Sequence, residues 1–83
     1  MPAYLVKVTT RHGLVKAPIV ANCTDEEEVT RLMKALGDDG DIIEIKGVRP
    51  DSMRVAFGNV PEGSAVFRFD WIWSVDGKEP KPY

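Results

Sequence analysis

The sequence contains one cysteine, Cys23, and one histidine, His12. A lone cysteine excludes an intrachain disulfide, and with it the cross-linked scaffolds that hold many small secreted domains together. A lone histidine excludes the paired-histidine metal motifs. No apolar run approaches the roughly 18–20 residues of a membrane span. Met1-Pro2-Ala3-Tyr4 enters a strand pattern directly, without the basic stretch and apolar run of a signal peptide, so a cytoplasmic location is expected. Positive charge is not in excess. Eleven Lys and Arg stand against thirteen Asp and Glu, for a net −2. The bases are scattered, whereas a general nucleic-acid binder needs a basic face to neutralise phosphates. No glycine-rich phosphate loop or nucleophile elbow is present.

What remains is an ordinary globular composition, 43% hydrophobic and 29% charged over 83 residues. That is enough for one core and little more, since a chain this short buries only about 60–65% of the surface its unfolded form exposes. Residues 1–77 are expected to form a single α+β domain, with residues 78–83, which hold two prolines, as an extended C-terminal tail.

Ala3 to Thr10 alternates as a strand, with Tyr4, Val6 and Val8 on one face and Lys7 and Thr9 on the other, beside Leu5. Arg11-His12-Gly13 supplies a turn, and Leu14 to Asn22 a second strand. Pro18 has no N–H to donate, which predicts a sheet edge or a bulge there. Thr24 and Glu27 form a Thr-x-x-Glu capping box before a helix, and Asp25 to Glu28 place negative charge at its positive end. Val29, Leu32, Met33 and Leu36 make its apolar stripe, and Gly37 is placed to end it. Asp38 to Asp41 is a turn. Ile42 to Val48 is a third strand. Met53 to Phe57 alternates as a short strand would, although a helical turn also suits it. Ala65 to Val75 is the strongest strand pattern, with Phe67, Phe69, Trp71 and Trp73 at period two. The expectation is a two-layer fold of ββαββ(β) order: one helix on one face of a mostly antiparallel sheet of four to five strands.

The aromatic stripe is expected to floor the core beneath the helix, with Trp73 at the sheet end either contacting a protein partner as an anchor or closing that end against Tyr83 or Pro80. The opposite sheet face, carrying Arg68, Asp70, Ile72, Ser74 and Val66, is expected to be open, either solvated or available for docking. Asp38, Asp39 and Asp41 lack the spacing and closing glutamate of a calcium loop, and are read as turn residues that contribute to a negative patch together with Asp25 to Glu28 at the other end of the helix. No metal or cofactor is expected. Cys23 precedes the helix, where a thiolate would be favoured, but small buried core cysteines are common and no orienting third group is evident. The chain is therefore expected not to be an enzyme. The candidate partner-binding residues are Arg68, Asp70, Ile72, Trp73, Asp38 and Asp39.

In size and plan the chain resembles the small accessory proteins of phages and mobile elements, anti-CRISPR inhibitors among them. The resemblance rests on Tyr4-Leu5-Val6-Lys7-Val8, the Thr24 to Leu36 helix and Asp41 to Val48, and it carries over no functional residue. It implies a non-catalytic protein-interaction module that occludes a surface on a larger host complex. A second copy of the chain is another partner of that class. The alternatives are a small nucleic-acid-binding domain using Arg49, Arg54 and Arg68, an accessory subunit of a complex, and a minor enzyme centred on Cys23 or His12.

Overall fold

The computed structural model describes residues 3–49, 53 and 57–83. It is an α+β fold with elements in the order β1 (Ala3–Thr9), β2 (Ile19–Asn22), α1 (Glu26–Leu36), β3 (Ile42–Val48), β4 (Ser64–Phe67), β5 (Trp71–Trp73) and β6 (Pro80–Pro82). Four strands make an antiparallel sheet of order β3-β1-β2-β4, and β5 and β6 pair as a separate antiparallel ribbon.

The first hairpin turns at Thr10–Gly13. Gly13 sits at φ 83°, as a tight turn requires, and the Thr10 amide donates to the Leu14 carbonyl at 2.8 Å. The second strand is shorter than expected and lies inside the sheet, between β1 and β4. Pro18 bounds the start of the strand rather than forcing it to an edge. The residue stands just before β2, where it needs to offer only its carbonyl, and that carbonyl accepts from the Arg68 amide at 3.3 Å.

The alternation of β1 divides the interior. Val6 and Val8 point to one face and pack with Ile19, Ala21, Val29 and Met33, the core beneath the helix. Leu5 points to the other face, where Val20 lies beside Met53, Phe57, Val60 and Trp73 in a second buried cluster. The second face is therefore covered, not open. Val66, expected to be exposed on it, is half-buried against this cluster. Of the strand expected over 53–57, only Met53 and Phe57 are described. Neither is in a strand and both are buried; the rest of that segment lies outside the described residues.

The long aromatic strand is broken in two. A turn at Arg68–Trp71, with the Trp71 amide donating to the Arg68 carbonyl at 3.4 Å, ends β4 and starts β5 in a new direction. The Arg68 guanidinium spans the turn to the Asp70 carboxylate, with Nε to Oδ1 at 2.8 Å. A period-two pattern fixes a common face only while the strand continues. Beyond the turn, Trp73 enters the second cluster and is 9% exposed, while Phe67 and Phe69 remain on the outside. Within residues 78–83, Pro80–Pro82 form β6 and pair with Trp71–Trp73.

The helix begins one residue later than the capping-box reading places it. Asp25 is the N-cap, accepting from the Glu28 amide at 2.9 Å, and the Glu28 carboxylate reaches back to the Thr24 amide at 3.1 Å. Val29 and Met33 are buried and Leu32 is half-buried, but Leu36, at the last helical position, is 67% exposed.

Candidate functional site

The C-terminal end of α1, the hairpin arm before β2 and the end of β4 enclose a groove of about 390 Å³. Its floor is Val8, Ile19, Met33 and Ala65, residues of or packed against the helix-side core. Its walls are three large side chains that stand largely in solvent: Leu36 at 67%, Phe67 at 52% and Phe69 at 81% exposure. Phe67 and Phe69 meet edge to face with centroids 5.0 Å apart, a geometry aromatic pairs favour. The Arg68–Asp70 pair lies to either side of Phe69 and constrains the turn that presents it. Contact between the rings and closure of the turn together keep a concave apolar surface facing outward.

One end of the groove is polar. Lys16 Nζ lies 3.2 Å from Asp41 Oδ2, and the same oxygen accepts from the Asp38 amide at 3.1 Å. Asp41's side chain is only 5% exposed. The Asp38 amide, and then the Lys16 ammonium, hold its carboxyl below the usual carboxylate range. Gly37 is required by this joint rather than by a left-handed backbone. Its φ is −100°, but a Cβ there would stand 2.7 Å from Asp41 Oδ2 and 2.9 Å from the Met33 carbonyl oxygen.

The expected site residues fall in three places. Asp38 and Asp39 are exposed in the loop after the helix, lining a hollow of about 310 Å³ that shares Met33 and Asp41 with the groove. Arg68 and Asp70 flank Phe69. Ile72 and Trp73 are elsewhere, on the ribbon. Ile72 is 47% exposed, whereas Trp73 does not emerge from the sheet end. It is buried, with the Lys7 ammonium 6.0 Å from its ring centroid. Periodicity alone places Leu36, Phe67 and Phe69 in the core. The signal that they are not lies in two places: Leu36 is the last residue before the helix-ending glycine, and the opposed charges of Arg68 and Asp70 two residues apart suit a turn.

The residues of the alternative readings are also placed. Cys23 is fully buried. Desolvation, and then the nearby Glu28 and Asp25 carboxylates, raise its pKa, the opposite of the activated thiolate a nucleophile needs. His12 is exposed at the hairpin tip, where its Nε2 accepts from Arg11 Nε at 3.4 Å. Arg49 donates to the Gly58 carbonyl at 3.2 Å, and Arg54 lies outside the described residues. No helix of the described chain is long and apolar enough to cross a membrane. No family model matches the sequence, and no curated protein or solved structure shows significant similarity to it.

Proposed function

We propose that this chain is a non-catalytic protein-interaction module that seats an apolar segment of its partner in the Leu36–Phe67–Phe69 groove. One observation carries the reading: three large hydrophobic side chains are left in solvent around a concave floor of core residues. Contiguous exposed apolar surface of this kind characterises interaction sites. The turn at Arg68–Asp70 and the end of the helix present all three outward. In the form closest to the phage-inhibitor resemblance, the occupant belongs to a larger host complex, and seating it occludes that surface without chemistry.

Affinity capture from the source cells, run side by side with the wild-type protein and a Leu36→Ser/Phe69→Ser variant, tests this reading. Because both side chains are exposed, the variant should melt close to the wild type. A partner retained by the wild type and lost by the folded variant is the expected result. Equal capture by both proteins would remove the groove from the interaction.

A further inference from the structure

The groove's polar end joins a hollow in which acids outnumber bases. The last turn of α1 leaves carbonyls pointing out of the helix, the negative pole of its dipole. Asp38 and Asp39 follow directly. Both are exposed, and they line the hollow that opens from the groove across Met33 and Asp41. Lys16 answers Asp41, and among the described residues Lys34 is the base lining the hollow, against Asp38, Asp39 and Asp41. The asymmetry extends over the whole helical layer. Residues 24–41 hold seven acidic and two basic side chains, a net −5, in a chain whose total is −2. Phosphate-bearing partners such as nucleic acids or anionic lipid surfaces are repelled by such a layer.

We infer that the occupant of the groove is a protein segment in which an apolar anchor stands next to Lys or Arg. This inference rests on the reading of the groove as an interaction site. The anchor, a Leu, Met or Phe side chain, fills the space between Leu36, Phe67 and Phe69. The adjoining cation lies in the hollow beside Asp38, Asp39 and the helix C-terminus. Apolar burial supplies affinity, and the acidic hollow supplies orientation and partner choice, the division of labour expected between the core and rim of an interface.

The test is selection from a surface-displayed random peptide library on the full wild-type chain, with counter-selection on the Leu36→Ser/Phe69→Ser variant. The expected ligands carry Leu, Met or Phe within a helical turn of Lys or Arg. A synthetic peptide from that pool should bind an Asp38→Asn/Asp39→Asn variant roughly 2- to 30-fold more weakly, the range two exposed ion pairs allow, and the deficit should shrink in high salt. Melting curves establish that both variants are folded. Groove-dependent ligands without basic residues, or equal binding by the Asp38/Asp39 variant, would overturn this inference and leave the interaction reading standing. The absence of any groove-dependent ligand would overturn both, as would groove-dependent binding of RNA or of anionic vesicles.

Discussion

Asp25 shows how a single side chain sets where a helix begins. Its carboxylate takes the Glu28 amide, and Glu28 in turn holds the Thr24 amide and hydroxyl. The capping box expected from the sequence pairs Thr24 with Glu27; the structure moves it one residue on, to Asp25 with Glu28, a step the periodicity of the apolar stripe does not resolve. The choice of Asp25 leaves Glu27 exposed and draws Glu28 back over the cap. Asp25→Ala should therefore lower stability by about 0.5–2 kcal/mol, and Thr24→Ala by less, since it removes the hydroxyl and leaves the Thr24 amide bonded. Denaturant melts of the two variants check the order, and a larger loss for Thr24→Ala would place the cap at Thr24. Gly37 illustrates a different limit. Its place at the helix end was legible, but its reason was not, because the Asp41 oxygen that excludes a Cβ approaches through the tertiary fold.

At the level of elements, β1, β3 and the helix were legible because each keeps one local period over most of its length, whereas β2 begins only after Pro18. The Phe67–Trp73 stretch was not, because its period runs unbroken through a turn that only the folded chain reveals. The error propagates directly to the site: it places Phe67 and Phe69 in the core and Trp73 outside, the reverse of the structure. The three aromatics accordingly separate in what truncation does. Trp73→Ala removes a buried ring from the cluster of Leu5, Val20 and Met53 and should lower stability by about 3–5 kcal/mol, a large part of the 5–15 kcal/mol available to a small domain. Trp71→Ala should cost less, because Trp71 is half-buried at the margin of that cluster, edge to face with Phe57 at 6.1 Å. Phe69→Ala, at 81% exposure, should change stability within about 0.5 kcal/mol. Thermal melts of the three variants, with acrylamide quenching of each tryptophan, would show it. Easier quenching of Trp73 than of Trp71 would contradict this arrangement.

For the whole molecule, Asp41 is the joint between separate parts of the chain. It ties the hairpin arm through Lys16, the loop after α1 through the Asp38 amide, and the start of β3 through its own position. Among the described residues, four carboxylates, at Glu28, Asp41, Asp70 and Asp76, are held below their usual range by hydrogen bonds. A carboxyl with a depressed folded-state pKa contributes stability that is present above its unfolded value, about 4. That contribution is lost as pH falls through the lower folded value. All four therefore act in the same direction in acid, but they do not act equally. The Asp70 side chain is 59% exposed, and water screens its pairing with Arg68, whereas the Asp41 side chain is 5% exposed. Asp41 should consequently dominate the acid limb of the stability curve. Asp41→Asn should be clearly less stable than the wild type at pH 7, and the gap should narrow below about pH 4 as the wild-type carboxyl takes up its proton. Asp70→Asn should shift the curve far less. Urea melts across a pH series would measure both. A gap for Asp41→Asn that stays constant down to pH 2 would mean that its oxygens act by shape alone. The charge that orders the helix end, the hairpin and the groove floor would then have to be sought elsewhere.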